Sequence, residues 1–360
     1  MRKHDVAVVG GSLAGAACVR QLNRMGIDAI AFERDHFPRA KVCGGFVSPG
    51  GVDCLRQLGV IDAVRNAGAM EVASAKIRVD SLEVEIPFSR AGLGISRSAL
   101  DEIVARGAAI DQGVTVTNVI RKGNGFVVLG AGVEVASRIV IDASGKLSRL
   151  TRRSSVGEFG IQFFEAGTQP GILDFWFFDD GYGGGVSVEE GRSNYCFLIN
   201  KDRLGGYVKR PGCMVTGPLA YDRLPGEFIA IGDAAGMLDP FCGEGMRHAL
   251  DSGMAAAHIV ARGLGVRWDY ERIRQEYEFE WNRRWSRKRT VGAVVRKMLK
   301  CRKAVARLLR MNPSWFLARM WGEFPSSESS ERRGAEHEVF ARRGGHSGQI
   351  PELPPRLRLF

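Results

Sequence analysis

The segment from Asp5 to Glu33 constrains the fold more than any other part of this 360-residue chain. Its sequence, DVAVVGGSLAGAACVRQLNRMGIDAIAFE, begins with a β-branched apolar run and continues through a glycine-rich turn and a helical stretch to a second apolar run. Short apolar runs of this kind are typical of strands that are buried on both faces. The pattern predicts a strand–turn–helix–strand unit at the start of an α/β fold.

The turn in this unit has the glycine spacing of a dinucleotide site. The positions of G-x-G-x-x-G fall on Gly10, Ser12 and Gly15, so serine replaces the middle glycine. The backbone N–H groups of such a turn, with the helix N-terminus behind them, bind a pyrophosphate. Glu33 ends the second strand, where an acid binds the hydroxyls of an unphosphorylated ribose, as in NAD or the adenosine half of FAD. The alternative is a turn that binds no nucleotide.

Composition limits the protein class. The chain is 45% hydrophobic and 25% charged, as globular domains are, and it has no apolar run long enough to span a membrane. The first strand begins directly after the first five residues, which leaves no room for a signal peptide, so a cytoplasmic location is expected. The seven cysteines include no C-x-x-C pair and the six histidines show no ligand spacing, which predicts reduced thiols and no metal site.

Basic residues are concentrated near the C-terminus. Thirteen of the 51 Lys and Arg residues, and no acidic residue, lie between Trp281 and Gly322. Wound as a helix, Val291 to Arg310 separate into an apolar side and a basic side. This predicts that residues 283–310 contact the anionic surface on the inner face of a membrane. The alternative is that the apolar side packs on the protein itself. Nucleic-acid binding is not expected, because no stacking aromatics are interleaved.

Several further motifs follow in a fixed order: Lys41-Val-Cys-Gly-Gly, Arg97-Ser-Ala-Leu-Asp, Ile141-Asp-Ala-Ser-Gly, Gly232-Asp-Ala-Ala-Gly and Asp239-Pro-x-x-Gly-Glu-Gly. With the glycine turn, this set resembles the FAD-dependent geranylgeranyl reductase and aromatic-ring hydroxylase (flavin monooxygenase) superfamily. The resemblance covers about residues 5–263. The motif around Cys43 and the form of the motif from Gly232 to Gly245 are closer to the geranylgeranyl reductase branch.

The resemblance implies FAD as the cofactor and assigns roles to individual residues. Asp233 would accept from ribityl hydroxyls or face the pyrophosphate, and the helix start at Gly245 would offer N–H groups to the reduced flavin. Cys43 would be the catalytic residue, as a gate or a proton donor; its alternative role is a small packed thiol. The complete set of cofactor-binding candidates is Gly10, Ser12, Leu13, Ala14, Gly15, Glu33, Arg34, Arg39, Lys41, Gly44, Arg97, Asp142, Gly145, Gly232, Asp233, Gly243, Gly245 and Met246.

The expected fold is α/β, with a Rossmann-like FAD-binding domain, an inserted antiparallel β-sheet substrate domain and a C-terminal helical region. The FAD-binding domain would comprise residues 1–70, 95–155 and 212–265, and the substrate domain residues 71–94 and 156–211. Residues 266–322 would form a basic amphipathic helical segment. Residues 323–360 are poor in apolar side chains and are expected to be a disordered tail.

The expected function is reduction of carbon–carbon double bonds in an apolar, isoprenoid-like substrate by hydride from reduced flavin. The alternatives are an FAD-dependent monooxygenase that hydroxylates an aromatic or polyketide-like molecule, and a flavin-binding protein without turnover. Only 28 residues separate Ile199 from Phe228, where relatives place a longer insertion, so an open substrate pocket is expected. No second nucleotide fingerprint occurs in the sequence, so NAD(P)H would dock transiently or a reduced partner protein would donate electrons.

Overall fold

The computed structural model describes residues 2–150, 157–178, 181–221, 226–299 and 302–311. The predicted disordered tail at 323–360 lies outside the described residues. The strands in chain order are β1 (Arg2–Val9), β2 (Ala29–Glu33), β3 (Phe46–Val47), β4 (Met70–Val79), β5 (Leu82–Gly94), β6 (Ile110–Gln112), β7 (Val116–Lys122), β8 (Gly125–Gly130), β9 (Val133–Asp142), β10 (Glu158–Ala166), β11 (Gly171–Phe178), β12 (Gly181–Val188), β13 (Arg192–Asn200), β14 (Met214–Thr216) and β15 (Ile229–Ala230).

The structure describes eight α-helices in the residues given above. They are α1 (Leu13–Arg24), α2 (Pro49–Gln57), α3 (Ile61–Asn66), α4 (Arg97–Ala105), α5 (Leu204–Val208), α6 (Gly245–Gly265), α7 (Tyr270–Leu299) and α8 (Arg302–Met311). The start of α4 is fixed by Ser96, whose hydroxyl accepts from the Ala99 N–H. Such an N-cap satisfies a backbone donor that the helix itself leaves free.

The first sheet has the order β6-β2-β1-β9-β8-β7, and β15 pairs with the end of β9. Strands β6, β2, β1, β9 and β15 run parallel, whereas β8 and β7 are antiparallel. The carboxyl ends of the parallel strands therefore meet at one edge, where ligands bind in open α/β sheets. A turn at Ala131 and Gly132 separates β8 from β9, although the apolar run from Gly125 to Val135 reads as one strand in the sequence.

The helices that cover this sheet pack unusually close to it. Alanine and glycine residues of α1 face α6, and a Cβ added at Gly253 of α6 would lie 2.3 Å from the Ala14 carbonyl oxygen. The core around them joins buried residues of β1, β2, β9, α6 and the first half of α7, including Val6, Ile141 and Trp281. The small residues of the opening segment therefore fix the spacing between α1 and α6.

The second sheet has the order β14-β10-β13-β12-β11-β4-β5-β3. The inserted antiparallel sheet that the sequence predicts is confirmed, with β4 and β5 as a hairpin and β10 to β13 as its aromatic-rich strands. All neighbours are antiparallel except β11 and β4, which join the two inserted segments in parallel. This confirms the predicted fold class. Strands β3 and β14 lie within residues that the sequence assigns to the FAD-binding part, and the exact domain limits stay a prediction.

The C-terminal helices cover the second sheet. Val305, Ala306 and Leu309 of α8 are buried in one apolar cluster with side chains of β4, β5, β11 and β12. Helix α8 therefore covers part of this sheet, and the open pocket expected from the short 200–227 connection stays a prediction. The apolar side of α8 packs on the protein, which is the alternative that the sequence left open.

Residues 291–310 do not keep all of their apolar side chains on one side. Val294 of α7 is 54% exposed, whereas Val305 and Leu309 of α8 are each 1% exposed. Helices α7 and α8 account for the described part of the basic segment predicted to be helical, and residues 300 and 301 between them lie outside the described residues. None of the helices that the structure describes combines the length and the apolar character needed to cross a membrane.

Candidate functional site

The glycine turn after β1 requires glycine at two positions. Gly10 has φ +105°, in the left-handed region, and a Cβ there would lie 2.4 Å from the Ala143 carbonyl oxygen. A Cβ at Gly15 would lie 1.8 Å from the Gly10 carbonyl oxygen. These approaches allow α1 to begin directly beyond the end of β1. The positive end of α1 therefore faces the carboxyl edge of the sheet, where it can hold an anion.

Ser12, the residue in place of the middle glycine, connects this turn to α4. Its Oγ accepts from Arg97 Nη2 and donates to Asp101 Oδ2, both at 2.8 Å. Arg97 also binds Asp101 through two bonds of 2.7 and 2.9 Å, and both residues are buried. Burial opposes both charges, but the pairing raises the pKa of Arg97 and lowers that of Asp101 from their usual values.

Asp101 is a site residue that the sequence analysis missed, although it closes the Arg97-Ser-Ala-Leu-Asp motif. An Arg and an Asp four positions apart on one helix are a recognisable signal for a pair. Arg97 lines the cleft as expected, but its guanidinium also holds Ser12 and Asp101. The predicted role of Arg97 in cofactor binding stays a prediction.

Glu33 is buried at the end of β2 and organises the turn opposite it. Its carboxylate accepts from the Gly11 N–H at 2.9 Å and from the Asp35 N–H at 3.2 Å. Arg39 Nη2 lies 3.4 Å from the same carboxylate. Glu33 therefore ties the glycine turn to the loop after β2, and it also borders the cavity in which a ribose is expected.

Two cavities lie along the carboxyl edge of the first sheet. The larger has a volume of about 600 Å³ and is bordered by charged and backbone groups, including Glu33, Arg39 and Arg149. We call it the polar half. The smaller, of about 220 Å³, lies against the second sheet, and we call it the apolar half. Both halves are bordered by Ser12, Lys41, Val42, Ala143, Gly145, Lys146 and Thr216, so they form one continuous cleft.

Two lysines lie where the halves meet. Burial, helped by the Arg97 charge, lowers the pKa of Lys41 to about 8, against the opposing influence of Asp233 and Asp101. Burial likewise lowers the pKa of Lys146 from its usual value. Lys146 follows Gly145 directly and was missed in the sequence, although its motif was recognised. The two side chains place positive charge at the position that a bridging pyrophosphate requires.

Most predicted site residues border this cleft, with two exceptions. Gly15 lies behind the turn, and Asp142 lies behind the loop after β9. The Asp142 carboxylate accepts from the Ser144 N–H at 3.0 Å, from Ser144 Oγ at 2.5 Å and from Ser148 Oγ at 2.6 Å. Asp142 therefore orders the turn that presents Gly145 and Lys146, and its direct contact with the cofactor stays a prediction.

The apolar half ends at a second turn, Asp239–Met246, which we call the flavin turn. Gly243 has φ +60°, and the following helix α6 begins at Gly245. Gly243, Gly245 and Met246 border the apolar half together with Gly232 and Asp233. The N-terminus of α6 therefore points its positive end into the cleft.

Cys43 is held at the apolar half through its main chain. The Cys43 N–H donates to Gln162 Oε1 at 3.1 Å, and Asn194 Nδ2 donates to the Cys43 carbonyl at 2.9 Å. Gln162 Nε2 donates to Asn194 Oδ1 at 2.7 Å, and both amides are buried. The sequence analysis missed this pair, whose signal is two polar residues within apolar strands. Cys196 borders the same space, and burial raises its pKa to about 12.

The cleft fits FAD in its chemistry. A helix N-terminus, a glycine cradle without Cβ atoms and two lysines lie at the pyrophosphate position. A second helix N-terminus lies at the ring position. Residues 3–125 match the family described as "FAD binding domain". The match covers residues 3–125 of the 360 and supports an FAD-dependent oxidoreductase.

Relatives of both chemical classes, reductases and a halogenase, are similar to this chain. It is 25% identical to digeranylgeranylglycerophospholipid reductase 2 of Methanothermobacter thermautotrophicus, over 84% of this chain and 87% of the relative. It is 27% identical to the 1H-pyrrole-2-carbonyl-[peptidyl-carrier protein] brominase of Pseudoalteromonas luteoviolacea, over 45% of this chain and only 43% of the brominase. The two similarities support the family without separating reduction from oxygenation or halogenation.

Solved structures show the same fold. A geranylgeranyl bacteriochlorophyll reductase-like protein of Thermoplasma acidophilum superimposes with a TM-score of 0.72 at 21% identity, covering 86% of this chain and 91% of that chain. The flavin-dependent brominase Bmp2 also gives a TM-score of 0.72, at 18% identity, covering 88% and 93%. The fold is therefore shared with both proteins.

Proposed function

We propose that the protein is an FAD-dependent reductase that saturates carbon–carbon double bonds of an apolar, isoprenoid-like substrate. The observation that carries the proposal is the wall of the apolar half. It is formed by Leu173, Phe175, Tyr182, Phe197, Leu198 and Leu219. An apolar chain placed against this wall gains free energy from removal of its surface from water, at about 25 cal/mol per Å².

Bound FAD supplies a hydride to the substrate after it has been reduced. The residues of the chain provide binding and charge. The positive end of α6, at Gly245 and Met246, stabilises the negative charge of the reduced cofactor. Lys41 and Lys146 bind the pyrophosphate, and the apolar wall excludes water. In this proposal Cys43 donates the proton that completes saturation of the double bond.

The archaeal reductase supports this assignment because the similarity extends over most of both chains. The K-x-C-G-G motif also resembles the reductase branch. The brominase similarity covers less than half of that enzyme.

The second candidate function is an FAD-dependent monooxygenase acting on an aromatic or polyketide-like molecule. Two observations favour it: the apolar half is small, at about 220 Å³, and the fold is shared with a flavin-dependent brominase. A flavin-binding protein without turnover is the third candidate, favoured by the packing of α8 on the second sheet.

One experiment separates the three. The FAD-loaded protein is reduced with dithionite and incubated with prenyl lipids of defined unsaturation, with and without air. The reductase proposal expects a product with two additional hydrogens per double bond, formed without air. A product that contains oxygen and forms only in air supports the monooxygenase, and no product under either condition supports the protein without turnover.

We propose that electrons reach the flavin from NAD(P)H that docks transiently or from a reduced partner protein. The support is the single dinucleotide fingerprint in the sequence, which FAD itself occupies. Flavin bleaching in the absence of air, followed with NADH, NADPH and a reduced ferredoxin-type protein, distinguishes the donors. Failure of all three donors would contradict this part of the proposal.

We propose that the protein works in the cytoplasm, bound reversibly to an anionic membrane surface. Lys297, Lys303, Arg307 and Arg310 are exposed on α7 and α8. Because the apolar side of α8 packs on the protein, the contact is electrostatic, and each cation near the surface contributes about 1 kcal/mol. An apolar lipid substrate would be found at the same surface.

The membrane contact is tested by co-sedimentation with anionic and neutral vesicles at low and high salt. Replacing Lys303, Arg307 and Arg310 with Gln should abolish binding to anionic vesicles. Replacing the exposed Arg65, Lys122 and Lys209 with Gln is the matched control, since it removes the same charge elsewhere. Equal loss of binding in both triple variants would show a general charge effect and refute a docking surface on α8.

A further inference from the structure

The flavin turn contains two buried carboxylates. Glu244 immediately precedes α6 and is fully buried, and Asp239 begins the turn and is nearly so. A buried carboxylate destabilises a protein by several kcal/mol unless an opposite charge or hydrogen bonds compensate it. Within the turn itself, Asp239 Oδ1 accepts from the Phe241 N–H at 3.1 Å. The remaining compensation comes mainly from outside the turn.

Helix α7 supplies a cation to each carboxylate. Lys288 Nζ lies 3.2 Å from Glu244 Oε1, beside Arg247 Nη1 of α6, which lies at the same distance. Arg296 Nε lies 3.5 Å from Asp239 Oδ2, while the Tyr182 hydroxyl donates to Asp239 Oδ1 at 3.1 Å. Helix α7 therefore places two of its cations, Lys288 and Arg296, against the flavin turn.

Lys288 and Arg296 belong to one face of α7. Together with Gly292 they are spaced four residues apart, which places them in a row along the helix. A Cβ at Gly292 would lie 3.2 Å from Asp239 Cβ and 3.5 Å from Cys242 Sγ. The glycine thus lets the backbone of α7 approach the flavin turn, and the two cations bind its two ends.

The charges also affect the electrostatics of the ring position. The N-terminus of α6 offers a positive potential to the reduced flavin. The Glu244 carboxylate lies at the same helix end, and without a counter-charge it would reduce that potential. Lys288 and Arg247 together compensate it. Burial raises the pKa of Asp239 to about 6, although the Phe241 N–H and Arg296 favour its ionised form.

We propose that Lys288 and Arg296 are positioning residues of the FAD site. They hold the backbone of Gly243, Gly245 and Met246 in the conformation that receives the isoalloxazine ring, and they keep the N-terminus of α6 positive. The inference rests on the FAD site and not on the identity of the substrate. It assigns part of the C-terminal basic segment to the cofactor and leaves the membrane contact to other residues.

The test compares Lys288→Met and Arg296→Met with Arg287→Met, which removes an exposed cation from the same helix. FAD affinity is measured by titration of the apoprotein, the reduction potential by equilibration with redox dyes, and the melting temperature on the apoprotein. We expect Lys288→Met to weaken FAD binding about tenfold or more, as the loss of a buried charge partner predicts. Its reduction potential should become more negative, and Lys288→Arg should restore both quantities.

The double variant Glu244→Gln, Lys288→Met distinguishes electrostatics from packing. It removes both charges, so it should recover most of the FAD affinity and potential that Lys288→Met loses. If Lys288→Met alone does not fold, recovery of a folded, FAD-binding protein in the double variant supports the proposal. Unchanged affinity and potential in Lys288→Met, or no recovery in the double variant, overturns it. Neither readout uses the substrate, so a failed reductase assay leaves this test intact.

Discussion

The two halves of the cleft are built in different ways. The polar half takes its main groups from short motifs, each contained in one turn or one end of a strand, such as Gly10 to Gly15 and Gly145 with Lys146. The apolar half is assembled from a sheet that combines two distant insertions and from the turn before α6. Dinucleotide binding can therefore be read from local sequence, whereas the substrate space depends on tertiary packing.

The glycine turn and the flavin turn differ in how buried polar groups are compensated. Beside the glycine turn, Arg97 and Asp101 of α4 pair with each other and with Ser12, so one closed group of hydrogen bonds compensates both charges. At the flavin turn, the cations for Glu244 and Asp239 come partly from a separate helix, α7. We expect substitutions in the first group to affect the whole fold, and those in the second to affect mainly the cofactor.

The largest expected effect follows from removal of Arg97. Arg97→Met leaves the Asp101 carboxylate buried without its bidentate partner, which should lower the free energy of unfolding by about 3–5 kcal/mol and abolish FAD retention. Urea unfolding measures the loss. Arg106→Met, which breaks an exposed pair with Glu102 on the same helix, is the control and should cost less than about 1 kcal/mol. Equal losses in the two variants would contradict the buried-pair interpretation.

Glu33→Ala tests the ribose end of the polar half. The variant loses the bond from the Gly11 N–H and the expected ribose bond, each worth about 1.5–3 kcal/mol because the acceptor is charged. FAD titration of the apoprotein should show the weaker binding. Asp35→Ala, at the more exposed neighbouring acid, should bind FAD almost as the parent does. Unchanged affinity in Glu33→Ala would place the ribose elsewhere.

Lys41 predicts a pH dependence. Its pKa of about 8 lies below the usual 10.5, so in the apoprotein its charge is lost as the pH rises through 8. A bound pyrophosphate favours the charged form, so FAD binding takes up a proton above pH 8 and weakens as the pH rises from 7 to 9. In Lys41→Arg the side chain stays charged and the dependence should largely disappear. Parallel pH profiles for the parent and the variant would contradict this role.

The stability of the apoprotein should depend on pH in the opposite direction to FAD binding. Because the pKa of Lys41 is depressed on folding, the unfolded chain binds more protons between pH 8 and 10.5, and the contribution of this group to stability rises across that window. Thermal melts of the apoprotein and of Lys41→Met over this range isolate the contribution by difference. A contribution that falls with pH would contradict the depressed pKa.

The smallest expected effect concerns Cys43 in the apolar half. Cys43→Ser should slow formation of the reduced product and leave reduction of the flavin by dithionite unchanged, because the main-chain bonds to Gln162 and Asn194 remain. Cys196→Ser, at the other thiol bordering the same space, is the control. Equal product formation in Cys43→Ser and the parent would support a packing role for Cys43.

The sequence predicted the fold and most of the polar half because each element there has a local signature. The missed residues are of two kinds. Asp101 and Lys146 lie in or beside recognised motifs, but the sequence did not show that they are placed in the site. Gln162 and Asn194 meet Cys43 only after β10 and β13 pair. The position of α8 over the second sheet depends on tertiary contacts, which no periodicity in residues 291–310 could reveal.

The parallel pairing of β11 with β4 has a consequence for biosynthesis. It joins residues about one hundred positions apart, such as Leu173 and Ala75. When β11 has been synthesised, β15 of the first sheet and helix α6 have not yet been made. Such non-local pairing is slow, and unpaired strand edges aggregate readily while they are exposed. A nascent chain that ends before α6 contains the strands of both sheets but lacks the helix that packs on α1 and begins at the cofactor cleft. We therefore expect ribosome-bound chains shorter than about residue 265 to remain protease-sensitive and unable to retain FAD, with cofactor capture following the emergence of α6.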